Sequence, residues 1–336
     1  MRVHLTYAGG TIGMVDSPRG LVPGADLEGW LEGVLPGTGQ QGSPLEVTVT
    51  SLDPLIDSSN ATPESWQAII DDLRARTEAQ AFVVLHGTDT MAYTTAALSY
   101  ALTDLDTPVV VTGSQLPLGV VGSDAVGNVV GALCAATSGR LRGVGLFFGQ
   151  HLLAGNRATK TSSWAFEGFV SPCAPPLATA GAPWRWAAPE PLGTGWRAAA
   201  PYRRHDVVVL DLAPGITAAR LSALLSPAPE AVVLRAFGTG NVPSAEPGLT
   251  EALSAVIEAG TAVVVASQCQ QAQVLLGHYE SGEALARLGA VDSGDMTLEA
   301  TYAKIQFLLS QGLRGPDLAA AMGRSIAGEL SPAAPA

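Results

Sequence analysis

Cysteine is scarce, with Cys134, Cys173 and Cys269 alone in a chain of 336 residues. No two form a CxxC pair, and an odd number excludes a fully paired disulfide set. Reduced thiols in a cytosol are the expectation. Charge is scarce too: 14% of residues are charged and 47% hydrophobic, which fits a well-buried core and argues against disorder. Positive charge is the scarcer sign. Eighteen Lys and Arg face thirty Asp and Glu, a formal net charge of −12. So acidic a chain repels phosphates, which excludes nucleic acid as a general partner but not a small zwitterion held by local groups. No apolar run is long enough to span a bilayer, so no membrane association is expected. The opening MRVHLTYAGG lacks the apolar stretch and cleavage site of a signal peptide, and a cytoplasmic location is expected. Internal repeats are absent as well.

The length exceeds the usual single core, so two α/β domains are the default. Short apolar runs alternate with helical patterns. Val3 to Tyr7, Ala81 to Leu85, Pro108 to Val111 and Val144 to Phe148 read as buried strands. Between them, Thr62-Pro63 opens a helix as N-cap and first-turn proline. Met91 to Leu102 and Asp124 to Thr137 read as further helices. This alternation implies parallel strands joined by right-handed crossovers, in a sheet covered on both faces. Pro172 to Pro201, rich in Pro, Ala, Gly and Trp, breaks the rhythm and reads as loop and linker. Alternation resumes with strands Val207 to Leu210, Val232 to Leu234 and Ala262 to Ala266. Helices follow near Thr217 to Leu225, Leu249 to Ala259 and Thr297 to Gly323. The expected organisation is an N-terminal α/β domain over 1–185, a linker over 186–205 and a smaller C-terminal α/β domain over 206–336. The terminal SPAAPA is expected to fray.

Ligands of open α/β sheets bind beyond the carboxyl ends of strands, and four such ends are unusual. The first is Ala8-Gly9-Gly10-Thr11-Ile12-Gly13-Met14, where paired glycines allow a sharp turn and a threonine hydroxyl sits at the strand mouth. For GGT alone, a tight turn with a Thr cap is the better reading. It lacks the GxGxxG of a dinucleotide loop. The second is His86-Gly87-Thr88-Asp89-Thr90-Met91. Asp89 there can cap the next helix or, with Thr88, hold a water or an α-amino group. No GxSxG elbow accompanies His86, and His4, His151, His205 and His278 show no ligand spacing, so His86 reads as structural. The third, Gly155-Asn156-Arg157-Ala158-Thr159-Lys160, carries a lysine. On the surface it does nothing; in a cleft beside Asp89 and Thr88 it can share a proton and activate a hydroxyl. The fourth, Gly238-Thr239-Gly240-Asn241-Val242-Pro243, is a glycine-rich strand exit that identifies no ligand by itself.

Together these blocks resemble the bacterial-type asparaginase family, most closely its cytoplasmic type I branch. The signature TGGTIxM stands here as AGGTIGM and HGTDTMxxTA as HGTDTMAYTTA. LIDSSNATPESW, VVVTGSQLPL, GNRATK, LRAFGTGNVP and SGDMTLEATYAKIQFLLSQ carry the likeness from about Val3 to Leu330. The resemblance implies a two-domain asparaginase-like fold with a larger, mostly parallel, doubly wound N-terminal sheet. It also implies hydrolysis of L-asparagine without metal or organic cofactor, in a homodimer or dimer of dimers. Thr11 matches the family nucleophile, and Thr88, Asp89 and Lys160 match the set that moves protons. Asp57, Ser58 and Asp89 match residues gripping the substrate's α-amino and α-carboxylate groups. Ser114 matches a residue lining the site through its backbone, and Asn241 one lent by a neighbouring subunit. Some type I relatives bind asparagine at a second, allosteric site, to which Thr159, Arg235 and Cys269 correspond.

Three positions depart from the pattern. Ala8 replaces the usual threonine. Leu21 stands where many members have a lid tyrosine that activates the nucleophile, and Tyr279 matches a tyrosine that some type I members use instead. Ser267 lies where the allosteric site usually has threonine. Two rival readings share the signatures. One is the asparaginase-like subunit of a tRNA-dependent amidotransferase, disfavoured by the acidic balance and by a chain that opens directly on its first strand. The other is a non-catalytic amino-acid sensor, favoured by Leu21 alone.

Overall fold

The computed structural model describes residues 1–18, 20–23, 27–34, 44–188, 192–277 and 280–331. Two sheets organise them. The larger has eight strands, in the order Arg185–Trp186, Ala178–Thr179, His151–Ala154, Val144–Phe148, Val109–Thr112, Ala81–Leu85, Arg2–Tyr7 and Glu46–Ser51. From Glu46–Ser51 through Val144–Phe148 the strands run parallel, as expected. The other three are antiparallel additions, so the sheet is mixed at one side. The smaller sheet is parallel throughout, in the order Val207–Asp211, Ala231–Ala236, Ala262–Ser267, Val291–Asp292.

The central strands are apolar on both faces because helices cover both. Every residue of Ala81–Leu85, Val109–Thr112 and Val144–Phe148 is buried. Helix Pro63–Ala75 starts where Thr62 and Ser65 form a reciprocal capping box with Pro63 behind it. Helix Met91–Ala101 is buried almost all round, and its small residues let it lie against helix Leu298–Ser310 of the C-terminal half. Tyr100 donates to the Ala300 carbonyl across that contact. One apolar core therefore runs from the large sheet to the small one.

The stretch read as loop from Pro172 to Pro201 contains two short strands that extend the main sheet. Two residues cannot display a period-2 pattern, so nothing in the sequence announces them. Its described end is anchored: Tyr202, just beyond it, buries its ring and donates to the Ala97 carbonyl, and Trp196 packs edge-on against Phe307.

The expectation of a frayed SPAAPA tail fails at its first residue. The Ser331 backbone and hydroxyl both donate to Asp295, and Arg157 reaches Asp295, Ser331 and the Glu329 carbonyl. Asn156 donates to the Ala327 carbonyl. Residues 332–336 lie outside the described residues. Behind this clasp, Lys304 and Glu329 form a fully buried ion pair at 2.6 Å. Lys304 also donates to the carbonyls of Met322 and Arg324, and Glu329 accepts from the backbone of Ile326 and Ala327. Charges so deeply placed persist only when their hydrogen bonds are met in this way.

Candidate active site

The site is assembled by glycine. Gly9 and Gly10 follow the first strand with φ of 130° and 100°, a region that L side chains avoid. A Cβ on Gly9 would lie 2.2 Å from the Ile56 carbonyl oxygen, and one on Gly10 would lie 2.4 Å from the Gly87 nitrogen. A Cβ on Gly87 would in turn meet Ser58 Oγ at 2.4 Å. Three loops thus stack backbone on backbone: the one bearing Thr11, the one bearing Asp57 and Ser58, and the one bearing Thr88 and Asp89. Hydrogen bonds lock the stack, from Ile56 N to the Ala8 carbonyl at 2.7 Å and from Thr90 Oγ1 to the Ser58 carbonyl at 2.7 Å. Thr11 opens the short turn Thr11–Gly13 and is partly exposed.

Lys160 joins this stack from the short strand Thr159–Lys160. Its Nζ donates to Thr88 Oγ1 and to Asp89 Oδ1, each at 2.8 Å. Thr88 is buried, the Lys160 side chain is 17% exposed, and that of Asp89 is 63% exposed. The lysine is therefore lodged in a cleft rather than on the surface, with its carboxylate partner at the rim. Ser58 is buried beside them. The carboxylate of Asp57, matched to the substrate's ammonium, caps its own turn, accepting from Ser59 N and Asn60 Nδ2 at 3.0 Å each. Ser114 is buried and donates to the Leu116 carbonyl, while Asp124 accepts from the backbone of Gln115 and Leu116 and fixes that loop.

His86 is structural, as read. Its Nδ1 carries the proton donated to the Gly87 carbonyl at 2.8 Å, and Nε2 takes the Thr94 hydroxyl at 3.0 Å. Burial holds the imidazole neutral, below its usual pKa range, against a smaller opposing effect of the Gly87 carbonyl.

Asn241 lies beyond the end of strand Ala231–Ala236 of the smaller sheet, its backbone bridging Phe237. Leu21 lies in the hairpin Met14–Ser17/Gly20–Pro23, opposite Asp16. Tyr279 lies outside the described residues.

Thr159, Arg235 and Cys269 come together elsewhere. With Ser267, Thr297 and Glu299 they line a cavity of about 110 Å³ between the two halves of the chain. Arg235 is held by Asp211 at 2.9 Å, and Ser267 Oγ donates to the Gly238 carbonyl. Thr159 Oγ1 donates to Glu299 at 2.7 Å. Burial pushes the Glu299 carboxyl above its usual range, although Thr159 and backbone donors, including that of Lys160, pull it back. Glu299 sits within the SGDMTLEATYAK segment, but nothing in the sequence separates a buried carboxylate there from a helix-start acid. Among the described residues, no three His, Cys, Asp or Glu side chains group to hold a metal ion, and no helix is long and apolar enough to cross a membrane.

Comparison with known proteins agrees along the whole chain. Residues 2–191 match the family described as Asparaginase, N-terminal, and residues 206–322 match the Glutaminase/Asparaginase C-terminal domain. L-asparaginase 1 of Escherichia coli K12 is 39% identical over 336 residues, 98% of each chain. The crystal structure of L-asparaginase I from Vibrio cholerae superposes with a TM-score of 0.87 at 37% identity, over 98% of this chain and 99% of that one. The thermostable L-asparaginase from Thermococcus kodakarensis gives 0.87 at 29% identity, over 99% and 100%. With its signature loops stacked at one end of the large sheet and both halves matched, the chain belongs to the asparaginase family.

Proposed function

We propose that the protein hydrolyses L-asparagine to L-aspartate and ammonia, with Thr11 as nucleophile. The observation that carries this reading is Lys160 Nζ at 2.8 Å from both Thr88 Oγ1 and Asp89 Oδ1, in a loop packed against the glycines that lead to Thr11. Asp57 and Asp89 offer carboxylates to the substrate ammonium, and Ser58 with backbone N–H groups takes the α-carboxylate. Ser114 lines the pocket through its backbone. Holding both ends sets the side-chain amide beside the Thr11 hydroxyl, which can supply roughly 7–11 kcal/mol of the barrier reduction.

A threonine hydroxyl needs a base. The Lys160–Thr88 pair or Tyr279 takes the Thr11 proton as Oγ1 attacks the amide carbon. Backbone N–H groups of the stacked loops stabilise the oxyanion. The C–N bond breaks, ammonia leaves with the proton, and water then cleaves the β-aspartyl ester to restore Thr11. Asn241 serves the site of a neighbouring subunit in a homodimer or dimer of dimers, with the division between domains at the 186–205 linker. The protein acts in the cytoplasm. Glutamine is one methylene longer, worth only roughly 1–3 kcal/mol of discrimination, so weak glutaminase activity accompanies the main one.

The cavity lined by Thr159, Arg235 and Cys269 is read as a second asparagine site that regulates the first. Its support is that Thr159 and Lys160 are neighbours on one strand. An ammonia-release assay on purified protein, with asparagine and glutamine in parallel, tests the central claim. Release from asparagine is expected. No release from either amide would return the chain to the sensor reading.

A further inference from the structure

Two of the three buried tyrosines among the described residues are hydrogen-bonded. Tyr100 donates to the Ala300 carbonyl at 3.1 Å, and Tyr202 to the Ala97 carbonyl at 2.8 Å. Tyr7 is the exception among the fully described ones. It is 5% exposed, and its hydroxyl has no partner among the described residues. Leaving a buried hydroxyl unpaired costs about 1–3 kcal/mol, and a phenylalanine of nearly equal volume would avoid that cost.

The place of this hydroxyl is specific. Tyr7 ends the first strand, and alternation turns it with Val3 and Leu5 into the core that contains Ile12. Its ring lies over Gly13, where a Cβ would sit 2.0 Å from the hydroxyl oxygen and 2.5 Å from Cζ. Gly13 closes the turn that Thr11 opens. Backbone ties of that turn include a long one, Gly13 N to the Gly10 carbonyl at 3.3 Å, with Met14 N to the Thr11 carbonyl and Leu118 N to the Ile12 carbonyl at 3.1 Å. The phenol bears directly on the turn at Gly13.

We propose that the Tyr7 hydroxyl is a positioning group for Thr11, holding the turn Thr11–Gly13 in the orientation that the attack on the amide requires. The inference rests on the reading of Thr11 as nucleophile. In the resting protein the hydroxyl only packs. As Thr11 advances on the amide, the turn shifts and one of its backbone carbonyls accepts a hydrogen bond from the phenol. A hydrogen bond gained on the way to the transition state raises kcat and leaves ground-state binding nearly unchanged. Tyr7 touches neither substrate nor reacting atoms.

Tyr7→Phe, compared with wild type in steady-state ammonia release and thermal unfolding, tests this. Expected are a kcat lower by about tenfold or more, a KM within about twofold, and an unfolding midpoint equal to or above wild type. Constants unchanged from an active wild type would overturn the proposal while leaving the asparaginase reading intact. A fall in kcat that tracks a fall in the midpoint would overturn it in favour of a packing role. A wild type that releases no ammonia would remove both readings together.

Discussion

Thr159 and Lys160 are adjacent in sequence yet serve two different places: Thr159 Oγ1 bonds Glu299 in the wall of the inter-half cavity, while Lys160 Nζ bonds Thr88 and Asp89. A strand turns successive side chains to opposite faces, so a two-residue strand is enough to separate them. Anything that shifts Thr159 must pass through a single peptide unit to reach the lysine.

That adjacency makes regulation testable. Wild type should show sigmoidal asparagine saturation, and Arg235→Ala, which removes a cavity cation paired with Asp211, should make it hyperbolic. A wild-type curve already hyperbolic and unmoved by the substitution would dismiss the second site.

Glu299 should leave a signature in the pH dependence of stability. Its pKa is raised in the folded state by burial, so the folded protein holds this proton more tightly than the unfolded chain. The associated stability is fully present below the ordinary glutamate pKa, near 4.3, and is lost as pH rises through the raised value. Glu299→Gln should therefore gain stability relative to wild type at neutral pH, and that gain should vanish in acid. Unfolding midpoints of both proteins across the acid-to-neutral range decide it; parallel curves would contradict the assignment.

Removing Thr11 and removing Lys160 should differ in kind. Thr11→Ala should lower kcat by at least about 10³-fold while asparagine binding stays measurable by calorimetry. Lys160→Met should lower kcat by about 10²–10⁴-fold with a smaller effect on KM, the mark of a proton-transfer group. A lysine variant with impaired KM and normal kcat would be a binding variant instead.

The glycine stack should be intolerant of one carbon. Gly10→Ala combines a left-handed φ with a methyl 2.4 Å from the Gly87 nitrogen, and should destabilise by roughly 2–6 kcal/mol. Gly33, with open space around it, is the matched control and should accept alanine without loss. Equal denaturant midpoints for the two variants would refute the packing account.

For the buried pair, Lys304→Met or Glu329→Leu alone strands a charge and should cost about 3–5 kcal/mol. The double variant should recover much of that loss. Additive losses in a double-mutant cycle would mean that the two charges do not interact.

Much of this was legible beforehand because the informative residues are local. Ala81–Leu85 is an unbroken apolar run ending in HGTDT, and strand, turn and helix start can be read within eleven residues. Thr62-Pro63 marks its helix with chemistry that acts over one turn. What stayed hidden depends on distant partners. Asp57 reads only as a partner for an ammonium, and nothing local reveals that its two oxygens also cap its own turn. Tyr7 reads as one more strand residue, and only the three-dimensional path of the loop places its hydroxyl on Gly13. Arg157 passes as a neighbour of Lys160 until residues from the far end of the chain close on it.

That closing bears on biosynthesis. A ribosome delivers the Gly155–Lys160 loop long before residues 325–331, on which Asn156 and Arg157 depend. A nascent chain thus carries the proposed catalytic groups for many seconds without the clasp beside the lysine's strand, at elongation rates of about 5–20 residues per second. The strand bearing Lys160 gains that support only once residues 325–331 have followed it out.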